Sequence, residues 1–465
     1  MFILMLVIFV LGYAAIALEH PIKIDKAASA LLIGVLTWTV YVLNGHTILG
    51  LGFNVSWNEL IGGGHGEHST FHFIKHELEH HLVEISEILF FLLGAMTIVE
   101  VVDRHGGFRI ITDKIKTLNK VKLLWIFSIL TFFMSAALDN LTTTIVMLAL
   151  IRKVMSDKET KWLYASMVVL ASNAGGAWSP IGDVTTIMLW IGEQITAQRI
   201  IMDTLIPSFV TMVVPVIVLS FFLKGEVTPA IISDEDEDNG ESITTGQRNF
   251  IFGLGVASLL FVPVFKTVTH LPPYMGMLLG LGNIWLATEM ILKNKSAAFK
   301  KKYNVIGIIK HVDVATVFFF MGILTAVAAL QSAGHLAILS GFLDEHLGNI
   351  YLINLSIGIL SSIVDNVPLV AGAMGMYDIF TPEMLQQLNP ADAAYYTEFM
   401  QDGNFWKFLA FCAGTGGSIL IIGSAAGVAA MGIEKIDFIW YMKRISGLAL
   451  IGYLSGALTY WLMFG

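Results

Sequence analysis

Apolar runs of about 20 residues recur from one end of this chain to the other, and they restrict its fold more than any other feature. A helix of that length spans the hydrocarbon core of a membrane, whereas one soluble core could not bury so many such runs. The composition agrees, because 55% of the 465 residues are hydrophobic, only 14% are charged and the mean hydropathy is +0.73. We therefore predict an all-α polytopic membrane protein. The lone Cys412 excludes an intrachain disulfide.

The apolar runs divide into ten predicted full spans and two predicted hairpins. The spans lie near residues 2–18, 27–44, 83–102, 161–192, 204–223, 248–265, 273–292, 313–331, 405–432 and 445–463. No basic region precedes the first run, so we expect it to be retained as a helix rather than cleaved as a signal peptide. The segments 121–153 and 347–378 are each too long for one span and too short for two. We predict that both are re-entrant helical hairpins, with tips buried in the protein.

Charges beside the two hairpins predict their orientation. Basic residues flank the first hairpin: Lys114, Lys116, Lys120, Lys122, Arg152, Lys153, Lys158 and Lys161. Acidic residues flank the second: Asp344, Glu345, Asp378, Glu383, Asp392, Glu398 and Asp402. Because cytoplasmic loops are enriched in Lys and Arg, the first hairpin is expected to enter from the inside and the second from the outside. Counting spans from these positions places both termini outside.

Matching features in the two halves predict an internal repeat. The Asp-Asn pairs that begin at Asp139 and Asp365 lie 226 positions apart (365 − 139), and the Gly pairs that begin at Gly175 and Gly416 lie 241 apart (416 − 175). We expect a first repeat over 1–224 and an inverted second repeat over 247–465, joined by an acidic cytoplasmic linker over 225–246. Each repeat would hold five spans and one hairpin. One span of each, 161–192 or 405–432, is expected to break at its Gly-rich middle.

Polar residues at the predicted tips and breaks indicate a cation site. A carboxylate inside a membrane segment is costly, so Asp139, Asp183 and Asp365 are functional candidates. Three carboxylates with neighbouring amide and hydroxyl oxygens suit a small hard cation, and buried carboxylates can exchange a proton for it. The predicted cation- or proton-binding residues are Asp139, Asn140, Thr142, Ser172, Asn173, Asp183, Thr185, Asp365, Asn366 and Thr415, with the three aspartates as metal ligands.

A purely structural explanation competes with this interpretation. Asp139 and Asn366 also suit the N-caps of the second hairpin arms, where a short polar side chain accepts a backbone hydrogen bond. A cap needs no full charge in a membrane, so we favour function for the aspartates. For Asn366 the sequence leaves capping and ion binding equally open. Lys and Arg are scarce within the spans, which argues against an anion pathway.

Acidic and His residues around the third predicted span form a second candidate region. Those with a predicted role in proton transfer or pH sensing are Glu84, Glu87, Glu100, His76, His80 and His81. The sequence HELEH at 76–80 also matches the zinc-protease signature H-E-x-x-H. We expect this His-rich stretch, with His65 and His68, to be an outer loop leading into the span. The absence of a distinct soluble catalytic domain argues against a protease, and a solvated loop is the simplest interpretation.

Five stretches together resemble the NhaD-type sodium/proton antiporters, within the ion transporter superfamily that also holds dicarboxylate/sodium symporters. They are HHLVEISEILFFLLGAMTIVE (80–100), SAALDNLTTTIVM (135–147), SNAGGAWSPIGDVTT (172–186), SSIVDNVPLVAGAMGMY (361–377) and AGTGGSILIIGSAAG (413–427). In the symporters the tips carry Ser-Asn-Thr, whereas Asp-Asn here fits a cation as cargo.

This resemblance implies extrusion of sodium or lithium, driven by inward proton flow across a bacterial-type plasma membrane. It also implies a homodimer. We expect partners limited to membrane lipid and small cations and no cofactor, and the sequence has no basic patch that would indicate nucleic acid. Two alternatives remain open at this point. One is a sodium-coupled organic-anion symporter of the same fold, and the other is a membrane-associated metalloprotease that uses the HELEH sequence.

Overall fold

The computed structural model describes residues 1–17, 19–62, 69–112, 117–229 and 242–465, which are almost entirely helical. In these ranges, β-structure is limited to the isolated bridges Asn119–Glu226 and Phe380–Met400. The acidic run at 234–238, within the predicted linker, lies outside the described residues, as do His65, His68, Lys114 and Lys116.

The helices alternate between long apolar rods and short connecting pieces. In the first half they are Phe2–Ala17, Glu19–Ile22, Lys26–Leu43, Gly45–Leu49, Val55–Gly62, Thr70–Arg104, Arg109–Thr112, Lys120–Leu138, Asn140–Val154, Lys158–Gly176, Val184–Ile191 and Ala197–Phe222. In the second half they are Thr245–Thr269, Pro273–Leu292, Ala297–Tyr303, Val305–Ile309, Val314–Ser332, His335–His346, Ile350–Leu360, Asn366–Met376, Pro382–Leu385, Pro390–Tyr396, Asn404–Gly416, Ala425–Glu434, Phe438–Arg444 and Ser446–Phe464, with a 3₁₀ turn at Thr397–Phe399.

Eight of the described helices are long and apolar enough to cross a membrane, so the chain is a polytopic membrane protein. Seven of them coincide with predicted spans. The eighth is Lys120–Leu138, which was predicted as a hairpin arm but has the length of a full span, about 28 Å. The arms Ile350–Leu360 and Asn366–Met376 extend only about 16 Å each. Phe2–Ala17, with 16 residues, is slightly short for a span.

The predicted outer loop before the third span is wrong, because the structure continues that helix back to Thr70. The helical spacing explains this. Ile74, His81 and Ile85 are buried at intervals of seven and four residues, on one face of the helix. On the solvent side, Lys75 pairs with Glu79 one turn later at 3.5 Å. The HELEH sequence therefore lies within a 35-residue helix.

The predicted breaks at 161–192 and 405–432 are observed, and each is a pair of helices joined by a short irregular segment. The first broken helix consists of Lys158–Gly176 and Val184–Ile191, and the second of Asn404–Gly416 and Ala425–Glu434. Lys120–Leu138 packs on Lys158–Gly176, the first piece of the first broken helix. In the same way, Ile350–Leu360 packs on Asn404–Gly416, the first piece of the second broken helix.

These two packings bring helix backbones into direct contact. A Cβ atom at Gly175 would collide with the Phe132 carbonyl oxygen, and one at Gly416 would collide with that of Gly358. Hydrogen bonds then fix each pair. Ser135 Oγ donates to the Ser172 carbonyl at 2.6 Å, and Ser361 Oγ donates to the Ala413 carbonyl at 2.7 Å. Each break is thereby attached to the tip of its neighbouring helical pair.

Candidate functional site

Each of the three candidate aspartates caps the N-terminus of a helix. Asp139 accepts from the backbone N and Oγ1 of Thr142, both at 2.8 Å. Asp183 accepts from the N of Thr185 at 2.9 Å and from its Oγ1 at 2.8 Å. Asp365 accepts from the Val367 N at 3.3 Å. Helix N-termini carry partial positive charge, so all three positions favour a carboxylate.

Capping alone does not account for the charge at Asp183. Ser424 occupies the matching position in the second broken helix, with φ −147° and ψ 154° against φ −149° and ψ 149° at Asp183. Its Oγ caps the following helix by accepting from the Gly427 N at 3.2 Å. Since a neutral hydroxyl satisfies the same backbone there, capping does not require the carboxylate of Asp183.

Asp183 is 1% exposed and accepts hydrogen bonds from side chains of both halves. Asn140 Nδ2 makes a short bond to its Oδ2. Asn366 Nδ2 lies 3.4 Å from both carboxylate oxygens. The N-cap of this helix is therefore Asp365 and not Asn366. The amide of Asn366 reaches the first broken helix instead. A buried carboxylate is costly unless such donors surround it.

A chain of amides continues from this carboxylate into the second broken helix. Asn140 Nδ2 also donates to Asn173 Oδ1 at 3.1 Å. Asn173 Nδ2 in turn donates to Ser418 Oγ and Ser424 Oγ, both at 2.9 Å. We call this group the Asp183 cluster; it consists of Asn140, Asn173, Asp183, Asn366, Ser418 and Ser424. Ser418 was missed by the sequence analysis, because a single Ser in an apolar Gly-rich segment carries no distinguishing signal.

The remaining predicted ligands serve the structure around the cluster. Thr142 and Thr185 bind their own capping aspartates. Ser172 Oγ lies 2.9 Å from Thr144 Oγ1, next to the cluster rather than in it. Thr415 donates its hydroxyl to the Phe411 carbonyl at 2.6 Å, within its own helix.

Asp139 and Asp365 flank the Asp183 cluster and lie in different surroundings. Each immediately precedes an asparagine of the cluster, Asn140 or Asn366. Asp139 lines a small, mainly apolar cavity beside Phe91 and Met277. Asp365 lines a cavity of ≈ 60 Å³ with both charged and apolar residues in its wall. In the described part of the chain, Asp183 is thus the one candidate aspartate within the hydrogen-bonded cluster, whereas all three were predicted to be ligands of one cation site.

The backbone at the first tip is strained, and the backbone at the second is not. Asp139 has φ 75° and ψ 160°, a backbone conformation that residues other than glycine rarely adopt. Asp365 has φ −48° and ψ 137°. Strain of this kind costs about 1–3 kcal/mol and is concentrated at functional positions. The two Asp-Asn pairs are therefore alike in sequence but not in conformation.

The His-rich region on Thr70–Arg104 does not form the protease arrangement. The described residues able to hold a metal there are His80, His81 and Glu84, whose ligand atoms lie within 4.8 Å of one another, without His76. Glu77, which would be the catalytic base, accepts from Ser332 Oγ at 3.0 Å. The zinc-protease interpretation is therefore not favoured.

Part of this region nevertheless lines a cavity. His81 is buried between Glu84 Oε2 and Ser332 Oγ, at 3.1 Å from each. With Glu84 and Glu87 it lines a cavity of ≈ 250 Å³, to which Val184–Ile191, Val314–Ser332 and Asn366–Met376 also contribute. The first and last of these helices follow Asp183 and Asp365. Glu100 lies apart from it and pairs with Arg104 at 2.8 Å.

A buried ion pair joins the halves of the chain and was missed in the sequence. Lys407 Nζ lies 2.7 Å from Asp203 Oδ2, with side chains 7% and 8% exposed. Lys407 is the basic residue inside the predicted span 405–432, which was a usable signal. Asp203 lies immediately before the predicted start of a span at 204, where an interfacial position was the simpler expectation.

Long apolar helices around a buried charged cluster define a membrane transporter. A family model described as "Citrate transporter" matches residues 4–397. Sodium/proton antiporter 1 of Arabidopsis thaliana is 43% identical, over 98% of this chain and 71% of its own length. Sodium/proton antiporter 2 of the same plant is 39% identical over 98% of both chains. The Na⁺/H⁺ antiporter NhaD of Vibrio cholerae is 30% identical over 98% of this chain and 91% of its own. The chain belongs to the NhaD-type sodium/proton antiporter family.

Proposed function

We propose that this protein exchanges sodium or lithium for protons across the membrane. The observation that carries the proposal is Asp183, a buried carboxylate held by the amides of Asn140 and Asn366 from opposite halves of the chain. A carboxylate in this position binds either a proton or a small hard cation, but not both at once. Mutual exclusion at one group is the minimum requirement for exchange. The relatives named as sodium/proton antiporters support the same cargo.

The other candidate residues have secondary roles in this proposal. Asp139 and Asp365 add negative charge on either side of Asp183, and so attract the cation and carry protons. The side-chain oxygens of Asn140, Asn173 and Asn366 supply neutral ligands. Ser172 and Thr415 shape the helices around the site, and Thr142 and Thr185 orient the aspartates. All of this chemistry uses side chains of the chain itself, without a cofactor.

Alternating access would follow from two inverted repeats, 1–224 and 247–465, with 225–246 as a cytoplasmic linker. Matching contacts support this. Ser135 bonds the Ser172 carbonyl as Ser361 bonds that of Ala413, and the residues correspond at the same spacings, 226 (361 − 135) and 241 (413 − 172). Each repeat would contain five spans, one of them broken, and one re-entrant hairpin. The tips and broken helices would then move together.

The membrane arrangement is also part of the proposal. Basic residues beside the first hairpin favour a cytoplasmic position for its ends, which leaves both termini outside a bacterial-type inner membrane. Two of the long helices are largely unburied within the protein. Only 22% of the apolar stretch of Thr245–Thr269 and 33% of that of Pro273–Leu292 is buried, which supports contact with lipid. A homodimer is proposed on the family resemblance.

The cavity beside His81 is the proposed access route on one side. Glu84 and Glu87 would attract cations into it, and the helices after Asp183 and Asp365 contribute to its lining. The exposed His76 and His80 lie on the same helix and are the proposed pH-sensing residues. Replacing both is expected to change the pH dependence of exchange or leave exchange intact, and complete loss with normal expression would contradict this.

One alternative keeps an observation in its favour. The matching family model is described as a citrate transporter, so a sodium-coupled organic-anion symporter must be tested. The Asp183 cluster argues against it, because its central charge is negative and would repel a carboxylate cargo.

The test uses everted membrane vesicles from cells that lack their own sodium/proton antiporters. Respiration acidifies the vesicles and quenches a pH-sensitive dye, and sodium is then added. Recovery of fluorescence with the wild-type protein, but not with Asp183→Asn at equal protein level, would support exchange. No sodium-dependent recovery would overturn the proposal. Labelled citrate, supplied with sodium, distinguishes the symporter.

A further inference from the structure

The cavity at Asp365 contains two groups that the proposed exchange does not use. Its wall includes Tyr13 and Lys26 from the first two long helices, together with Glu19 and Asp365. Its volume of ≈ 60 Å³ is enough for a small hydrated ion or a few water molecules. Lys26 is the one basic residue in the described lining of this cavity, which the Asp365 carboxylate also lines.

Lys26 is held in place by contacts with its neighbours. Its Nζ lies 4.5 Å from the centre of the buried Phe319 ring, a cation–π contact. Its backbone N donates to Glu19 Oε1 at 3.4 Å. The preceding residue, Asp25, caps the helix by accepting from the Ala27 N at 2.8 Å. An ammonium fixed by an aromatic ring stays near Asp365 without being fully bound by it.

Tyr13 contributes a buried hydroxyl beside Asp365. Its oxygen lies near the Asp365 backbone but has no hydrogen bond of normal geometry with the described residues. Buried hydroxyls are normally hydrogen-bonded, so a poorly paired hydroxyl on a cavity wall can still accept a ligand. Asp365 is also bound less tightly to its own helix than Asp139, at 3.3 Å against 2.8 Å. Both groups are thus available to a cation.

We propose that Asp365, the Tyr13 hydroxyl and Lys26 form a second cation station, in which the Lys26 ammonium replaces the transported cation between cycles. The proposal rests on the proposed exchange and adds a specific competitor to it. A cation arriving at Asp365 meets the positive charge of Lys26, so the two compete for one carboxylate. The competition weakens cation binding at this station and promotes release, because the ammonium is always available to take the vacated place.

Removing this charge has a distinctive kinetic result. Lys26→Gln is expected to lower the apparent KM for sodium by roughly threefold or more, because the repulsion between two nearby positive charges is lost. Lys26→Arg keeps the charge and is expected to shift KM by less than Lys26→Gln. Lys23→Gln is the matched control, since Lys23 is exposed and lies three positions away. An unchanged or higher KM for Lys26→Gln, at wild-type protein level, would overturn the proposal.

Tyr13→Phe tests the station independently of Lys26. It removes only the hydroxyl, so KM for sodium is expected to rise while the maximal rate is retained. A KM equal to that of the wild type would show that the Tyr13 hydroxyl does not bind the cation, and would overturn the proposed station. The same vesicle assay distinguishes a failure of the proposed function from a failure of the proposed station. Failure of the wild type to exchange sodium for protons overturns the proposed function, whereas normal wild-type exchange with unshifted variants overturns only the station.

Discussion

Asn366 lies 3.4 Å from both carboxylate oxygens of Asp183, although the two residues are 183 positions apart in the chain. Asn140 holds the same carboxylate from the other tip. Asp183 is therefore the point where two tips and one broken helix meet. A movement of either tip changes the donors around a single buried charge, which is how a conformational change can alter its affinity for a cation or a proton.

Asp183→Asn is expected to abolish sodium/proton exchange while the protein still reaches the membrane. Asn can cap a helix as Asp does, so the substitution removes the charge and retains the fold. The matched control is Asp157→Asn, an exposed N-cap that accepts from the Thr160 N at 2.8 Å. Both variants are compared in vesicles at equal protein level. Activity in Asp183→Asn close to that of Asp157→Asn would exclude the carboxylate from the mechanism.

Asn140→Ala and Asn366→Ala are each expected to weaken sodium binding, because each removes a neutral amide oxygen that the proposed site offers the cation. The effect would be seen as a higher KM in the vesicle assay. Asn140→Ala should be the more severe, since that amide makes the short bond to Asp183 whereas Asn366 makes longer ones. Asn58→Ala, at an exposed site, is the control. The reverse order of severity would contradict the observed geometry.

Substitutions at Asp139 are expected to separate backbone strain from charge. Asp139→Gly and Asp139→Ala both remove the carboxylate. Glycine tolerates the φ of 75°, so Asp139→Gly relieves the backbone strain, whereas Asp139→Ala retains it. Asp139→Gly should therefore be more stable than Asp139→Ala by about 1 kcal/mol. The melting temperature of each purified variant in detergent measures this. Both variants should lose exchange if the Asp139 carboxylate carries protons, and equal stability would argue against the strained backbone.

Gly175→Ala is expected to reduce the amount of folded protein sharply. The added methyl group would collide with the Phe132 carbonyl oxygen, which is backbone and cannot rotate away. Gly253→Ala is the matched control, because that glycine also lies within a helix but has open space around its missing Cβ. Size-exclusion profiles of the detergent-solubilised variants distinguish the two. A normal profile for Gly175→Ala would contradict the close backbone contact.

The buried pair Asp203–Lys407 is expected to behave as a coupled unit. Lys407→Met leaves the Asp203 carboxylate buried without its partner and should cost about 3–5 kcal/mol of stability. The double variant Asp203→Leu with Lys407→Met removes both charges and should recover most of that loss. Melting temperatures of the two single variants and the double variant complete the cycle. Additive losses would show that the two charges are not coupled.

The apolar runs and Gly-rich interruptions predicted much of this fold. Seven predicted spans are single long helices, and both breaks occur where Gly175 and Gly416 were found, because helix length and glycine content act locally. The His-rich stretch was predicted incorrectly as a loop. Its helical face is buried only through contact with other helices, such as that between His81 and Ser332, and this contact is not visible in a local pattern.

The order of residues is enough to show that the chain spans a membrane, that it carries two Asp-Asn pairs and that Asp183 follows a helix break. The contacts of these residues depend on how the helices pack. This packing placed Asp183 at the meeting point of the two tips and made Asp365 rather than Asn366 the cap. It also brought Lys26 to the cavity of Asp365 and Lys407 to Asp203. Burial and polar residue type are written in the local sequence, whereas the partner of a buried charge depends on helices far apart in the chain.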